Sequence, residues 1–218
     1  GLGRMAEGVT RIPSRNRELA GRYAEAIGPL LGDAPGYALL DFPEHSNIGD
    51  LAIYLGEIQF LDGVFGKRAA YVAGTKEFRG DLEAFSDDDV VLIHGGGNFG
   101  DIWPEHQDFR LGILEAYPDR RIIQLPQSLH FSNDERLERS KRAIGAHRDF
   151  ILCVRDRPSK DFADRAFDCP VVLAPDAAHC IETVAVRAEE HDVLSLVRTD
   201  KETAVDGLGE VLSEFGPV

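Results

Sequence analysis

Short apolar runs alternate along this chain with stretches whose apolar residues recur every three or four positions, so strands and helices are predicted in turn. Leu19, Tyr23, Ala26, Ile27 and Leu30 trace a first helix with Ser14 as its candidate cap, and Gly32-Asp33-Ala34-Pro35-Gly36 breaks it. Tyr37-Ala38-Leu39-Leu40-Asp41 reads as a strand, and Asn47 then opens a helix with Leu51, Tyr54, Leu55, Ile58 and Leu61 on one face. Gly63 and Gly66 end that helix; a strand at 69–73 and a short helical piece at 80–85 follow. Further strands are predicted before His94, at 121–124 leading into Leu125-Pro126-Gln127-Ser128, at 150–154, at 171–174 and at 193–197. Helices are predicted between them at 105–117, from Ser132 to 146 with Glu135 completing a capping box, from Pro158 to 166, and at 179–187.

Apolar strands alternating with amphipathic helices predict an α/β fold with a doubly wound, mostly parallel, Rossmann-like sheet. The expected organisation is a loose N-terminus at 1–12, one lobe at 13–190, and a last strand and helix at 191–218 that begin a second lobe.

The stretch Asp89-Val90-Val91-Leu92-Ile93-His94-Gly95-Gly96-Gly97-Asn98-Phe99-Gly100-Asp101 runs from an apolar strand into three consecutive glycines. Without Cβ atoms a ligand can approach that backbone closely. Asn98-Phe99-Gly100-Asp101 repeats the form of Asn47-Ile48-Gly49-Asp50, which predicts two helix N-termini facing one anion-binding cleft. Two unrelated caps are the alternative. The glycines match neither the dinucleotide fingerprint nor a P-loop.

Polar residues collect where strands end: Asp41, His94, Gln124, Arg155 and Asp176. In an open α/β sheet those ends form the ligand crevice. Arg155 can grip a carboxylate or phosphate with parallel hydrogen bonds, or instead pair with Asp156. Asp50 and Asp101 are read as cap acids, or as partners of sugar hydroxyls and of protons. His94 and His45 are candidate acids, bases or anion ligands. Asn98, Gln127 and Ser128 offer neutral hydrogen bonds for orientation.

The formal charge of −14 opposes non-specific binding to nucleic acid and to anionic membranes, though inward arginines can still attract a small anion. No transmembrane run is present in the sequence. Cys153, Cys169 and Cys180 are spaced neither as a disulfide scaffold nor as a metal knuckle, so reduced thiols are expected and no metal is predicted. There is no G-x-S-x-G or credible triad for a serine nucleophile.

His45-Ser46-Asn47-Ile48-Gly49-Asp50, the segment from His94 to Asp101, Leu125-Pro126-Gln127-Ser128, Val154-Arg155-Asp156 with Ser159, and Ala174-Pro175-Asp176 together resemble the polysaccharide pyruvyl transferase family. The resemblance spans roughly 37–198. It implies a two-lobed, glycosyltransferase-like (GT-B) architecture of which this chain is the N-terminal lobe. It also implies transfer of the enolpyruvyl-derived group of phosphoenolpyruvate to a sugar hydroxyl of an exopolysaccharide or cell-surface glycan, giving a pyruvate ketal.

The implied partners are phosphoenolpyruvate and a glycan or lipid-linked sugar, with no cofactor and with a homo-oligomer left open. The implied location is cytoplasmic, or peripheral to the inner membrane through a polysaccharide assembly complex. Asp50 and His94 are the expected catalytic residues. Asn47, Gly49, Gly95, Gly96, Gly97, Asn98, Asp101, Gln127, Ser128, Arg155 and Asp176 are expected to bind substrate, with Arg155 as the phosphoenolpyruvate anchor. The family's second lobe carries an Arg-x-His-type segment for which this chain shows no match, so truncation or completion by a partner chain is expected. A nucleotide-sugar glycosyltransferase and a non-catalytic glycan- or partner-binding lobe are the alternatives.

Overall fold

A strand covered on both faces needs apolar side chains at every position, and Tyr37–Leu40, Val90–Ile93 and Phe150–Val154 are buried throughout. The computed structural model describes residues 14–44, 47–66, 68–80 and 86–181. His45, Ser46, the expected N-terminal segment 1–12, nearly all of the helical piece at 80–85, the end of the helix at 179–187 and the strand at 193–197 lie outside the described residues.

The elements run α1 (Ser14–Leu31), β1 (Tyr37–Leu40), α2 (Ile48–Phe65), β2 (Tyr71–Ala73), β3 (Val90–Ile93), β4 (Gly96–Gly100), α3 (Pro104–Ala116), β5 (Ile122–His130), α4 (Asp134–Ala146), β6 (Phe150–Val154), α5 (Arg157–Ala166) and β7 (Val171–Leu173), then a 3-10 turn at Ala177–Cys180. The seven strands form one sheet in the order β2-β1-β3-β5-β6-β7, with β4 also paired to β5. Every pairing is parallel.

Alternate side chains of each strand enter opposite layers. Ala38, Leu40, Val91, Ile93, Leu152 and Val154 pack with Leu111, Leu114, Ile144 and Ala163 from α3, α4 and α5. Tyr37, Leu39, Val90, Leu92, Ile151 and Cys153 pack with Tyr23, Ile27, Ile53 and Leu61 from α1 and α2. Helices on both faces of a parallel sheet make this the predicted doubly wound, Rossmann-like fold. Among the described residues there is one such sheet and no second lobe.

The chain goes from β1 outward to β2 and then returns to the other side of β1 as β3. The order therefore reverses between β1 and β3, where α/β sheets open a crevice beyond the strand ends. Asp41 and His94 follow those two strands.

Four sequence expectations are corrected. The triple glycine does not lead into a helix: the chain kinks and continues as β4, pairing Gly96 with Gln127 and Gly100 with His130. Helix α3 starts only at Pro104, and the side chain at its cap position, Trp103, does not cap it. The second anion-binding helix end expected at 98–101 therefore does not exist. Strand β5 correspondingly runs nine residues through Leu125-Pro126-Gln127-Ser128, shifting register between Gln124 and Gln127.

The inward face of α2 is Ile53, Gly56, Glu57 and Leu61, while Leu51 and Leu55 are 40% and 45% exposed. The helix is set by Glu57, which bonds to the backbone below it, and by Gly56, where a Cβ would sit 1.9 Å from the Ala177 carbonyl oxygen. Helix α4 is capped by Asn133, whose side chain accepts from the Arg136 amide, because Ser132 is already bonded to Asp101.

Candidate functional site

The first cap was read correctly. Asn47 caps α2 by accepting from the Gly49 amide at 2.9 Å, and Asp50 lies in the first turn. A Cβ built on Gly96 would lie 3.3 Å from Asp50 Oδ1, so α2 brings this carboxylate onto the glycine kink.

From the opposite side comes Arg155, at the end of β6. Its Nε donates to Ser128 Oγ at 2.9 Å and its Nη1 to Asp176 Oδ2 at 2.7 Å. A Cβ on Gly97 would lie 3.1 Å from Nη2, which makes no hydrogen bond to any described residue. The side chain is 30% exposed, so an arginine pinned at two nitrogens offers a third to the crevice. Its salt bridge goes to Asp176 and not to Asp156, whose carboxylate accepts from Ser128 Oγ and the Ser159 amide and caps α5. Asp176 also accepts from the Ala178 amide, opening the 3-10 turn.

Beneath the kink lies a residue that periodicity had not singled out. Glu57 is fully buried on α2. Its Oε1 accepts from the Gly95 amide at 2.8 Å, and its Oε2 lies 2.6 Å from His94 Nδ1. A carboxylate only accepts, so Nδ1 carries the hydrogen. His94 is 2% exposed and its Nε2 has no hydrogen-bond partner among the described residues. Burial pushes the imidazole pKa down, but the Glu57 charge and hydrogen bond, with help from Asp41 and Asp50, raise it above the ordinary value.

A histidine with a raised folded-state pKa stabilises the fold fully below its unfolded value and loses that contribution as pH rises through the folded pKa. The stability difference between wild type and His94→Asn, measured by urea unfolding, should therefore be larger at about pH 5.5 than at about pH 8.5, on either side of the unperturbed value near 6.5. A difference that grows with pH would contradict this.

The other expected ligands are committed to the floor. Gln127, fully buried, accepts from the Asn98 amide and donates to the His94 carbonyl and to Asn98 Oδ1. Asn98 also donates to Asp41 and accepts from Arg110. Both hold the kink, Gln127 from the buried floor and Asn98 half-buried. Asp101 Oδ2 accepts from the Ser132 and Asn133 amides, tying β4 to the start of α4.

The contacts thus bring Asp50 onto Gly96 and Arg155, with Ser128 and Asp176, onto Gly97, while His94, Gly95, Asn98 and Gln127 are bonded to one another and to Glu57 around the same kink. Burial pushes the thiols of Cys169 and Cys180 up to about 12 and about 11, and raises Cys153 further, so none is a ready thiolate.

Sequence comparison decides what this crevice belongs to. The family described as polysaccharide pyruvyl transferase matches residues 47–206, a range that holds every residue of the crevice. The chain belongs to that family. It is similar to pyruvyl transferase 1 of Schizosaccharomyces pombe, 34% identical over 179 residues, covering 76% of this chain and 44% of that protein. General stress protein 30 of Bacillus subtilis is 28% identical over 203 residues, covering 88% of this chain and 59% of that protein. The chain thus spans about half the length of the curated relatives it matches. It is a pyruvyl-transferase-type chain, and no helix among its described residues is long and apolar enough to cross a membrane.

Proposed function

We propose that this chain is the donor-binding, N-terminal lobe of a two-lobed (GT-B) transferase that moves the enolpyruvyl-derived group of phosphoenolpyruvate onto a sugar hydroxyl, forming a pyruvate ketal on an exopolysaccharide or cell-surface glycan. The observation that carries this reading is the Arg155 guanidinium, fixed by Ser128 and Asp176, with Nη2 left over the Gly97 backbone. A phosphate or carboxylate there gains a charge-assisted hydrogen bond on a surface that no Cβ obstructs. The α2 N-terminus beside Gly96 adds a partial positive charge to the same crevice.

The roles divide by position. Asp50 accepts a hydrogen bond from the sugar hydroxyl and orients it. His94 does not touch substrate; its Nδ1 bond to the buried Glu57 carboxylate, which also accepts from the Gly95 amide, ties α2 to the glycine kink and keeps the floor under the donor fixed. Residues 13–190 form the lobe and 191–218 begin the next one, whose residues supply the proton for the donor's methylene carbon. The acceptor is a glycan or a lipid-linked sugar, and the site of action is the cytoplasm or the inner face of the membrane.

Titration with phosphoenolpyruvate at millimolar concentration tests the reading, followed by amide and guanidinium chemical shifts. Shifts at Gly97 and Arg155 are expected; tighter binding of UDP-glucose than of phosphoenolpyruvate would contradict the donor assignment. Gly97 is not among the glycines with positive φ, so alanine fits its backbone but presses on Arg155 Nη2. Gly97→Ala should weaken phosphoenolpyruvate binding about tenfold, or ~1.4 kcal/mol, with the melting temperature almost unchanged.

A further inference from the structure

We infer that Asp156 is the residue that aims Arg155 at the donor, by fixing the Ser128 hydroxyl on which the guanidinium rests. The inference rests on the donor-site reading above and adds to it a positioning residue that acts through Ser128.

The sheet sets the first part of the geometry. Strands β5 and β6 pair Gln127 with Val154, and the Arg155 amide donates to the Gln127 carbonyl at 3.1 Å. Ser128 and Arg155 therefore follow paired residues on neighbouring strands, and their side chains meet, with Ser128 Oγ 2.9 Å from Arg155 Nε. A serine hydroxyl has one hydrogen, two lone pairs and a free torsion, so this contact alone leaves the hydrogen unplaced.

Asp156 decides where it goes. Its Oδ2 lies 2.6 Å from Ser128 Oγ. An ionised carboxylate only accepts and a guanidinium only donates, so the hydroxyl hydrogen points to Asp156 and a lone pair faces the Arg155 Nε–H. At that length the bond to the carboxylate is charge-assisted. Burial alone would raise the Asp156 pKa, but hydrogen bonds from Ser128 and from the Ser159 amide and hydroxyl, with the charge of Arg155, hold it below the ordinary carboxylate value. The group is therefore ionised at neutral pH.

The two oxygens of this carboxylate have separate tasks. Oδ1 accepts from the Ser159 amide at 2.8 Å and caps α5. A cap needs one oxygen, and asparagine supplies it as well as aspartate does. The second oxygen is the one on Ser128. Ser159, 3% exposed, accepts through its hydroxyl from the Leu129 amide at 2.9 Å, which ties the start of α5 to the strand that carries Ser128. On the other side Asp176 holds Arg155 Nη1 at 2.7 Å. Two anchors on different nitrogens define the guanidinium plane and leave Nη2 beside Gly97. Releasing the Ser128 anchor lets that plane swing about Asp176.

Asp156→Asn tests this, because it keeps an oxygen for the Ser159 amide and puts an N–H donor where Ser128 needs an acceptor. The Kd of phosphoenolpyruvate is measured by calorimetry on the full chain for wild type, Asp156→Asn, Ser128→Ala and the double variant. Each single change should raise Kd about fivefold, the range of one net hydrogen bond. The double variant should be no weaker than the weaker single, because both changes break one chain of bonds. A carboxylate that only capped α5 would add its effect to that of Ser128→Ala. The Arg155 Nε–H resonance, read without ligand, should move in both single variants. Asp156→Ser, which caps the helix but is too short to reach Ser128, repeats the test should the asparagine turn its amide toward Ser159. Additive losses, or a Kd and an Nε–H resonance unchanged in Asp156→Asn, would overturn the inference and leave the donor site standing. A wild-type chain that does not bind phosphoenolpyruvate, with the Nε–H resonance still moved in Asp156→Asn, would overturn the donor reading while the Asp156–Ser128–Arg155 chain stands.

Discussion

Arg155→Ala should lower phosphoenolpyruvate-dependent turnover by about two to three orders of magnitude, the loss typical of a donor aimed at developing charge. The guanidinium is held by Ser128 and Asp176 before any ligand arrives, so its orientation needs no ordering at the moment of binding. Alanine removes the third nitrogen over Gly97 and leaves the Asp176 carboxylate at the crevice without its cation, replacing attraction for an anion by repulsion. Arg155→Lys should recover only part of the activity. An ammonium can satisfy Asp176, but it cannot also reach Ser128 and the space over Gly97 in one plane. Circular dichroism and melting should change little, because the side chain is 30% exposed and the sheet beneath does not depend on it.

Arg110→Met should cost the fold about 3–5 kcal/mol, read as a fall in the urea midpoint, because it leaves the buried Asp41 carboxylate, 3.7 Å from Arg110 Nη2, without its counter-ion. Arg110 donates to Gln124, Gln107 and Asn98 and lies over the Phe99 ring with its guanidinium carbon 4.7 Å from the centroid. Removing it orphans Gln124 Oε1, while Gln107 Oε1 and Asn98 Oδ1 keep the Gly100 amide and Gln127 as donors; a buried unpaired acceptor carries its own desolvation penalty. Adding Asp41→Asn to Arg110→Met should return part of the lost stability, since the unpaired charge then goes. If the double variant is less stable than Arg110→Met, the pair is not what holds this floor together.

Most of the sheet was legible from the chain because the buried strands β1, β3 and β6 are uninterrupted apolar runs, and 150–154 was placed to the residue, whereas β4 was not read as a strand. The candidate site was legible in part: Asn47 as the α2 cap, Asp50 in its first turn, and Arg155 and Asp176 after strands were placed because caps and strand ends have recognisable residue types. The helix expected after the triple glycine was wrong for a physical reason. Asn-Phe-Gly-Asp has the form of a cap, yet Asn98 spends its side chain on Arg110, Asp41 and Gln127, and Gly96 and Gly100 take φ values of 128° and 126° that carry the chain back into the sheet. A Cβ at Gly100 would lie 1.7 Å from the His130 carbonyl oxygen, so that glycine serves the β4–β5 contact.

Glu57 and Arg110 were missed. Local periodicity assigns charged residues to the outside of a helix, and only the tertiary partners His94 and Gln124 bring these two in. The available signal for Glu57 was its place among Ile53, Gly56 and Leu61, the row that the structure buries.

The donor site is tested most directly by diffraction from crystals soaked in phosphoenolpyruvate. The phosphate or the carboxylate should appear within hydrogen-bond distance of Arg155 Nη2, over the backbone of Gly97 and beside Asp50. Phosphoenolpyruvate bound elsewhere on the sheet, with Arg155 still on Ser128 and Asp176 and nothing over the glycines, would contradict it.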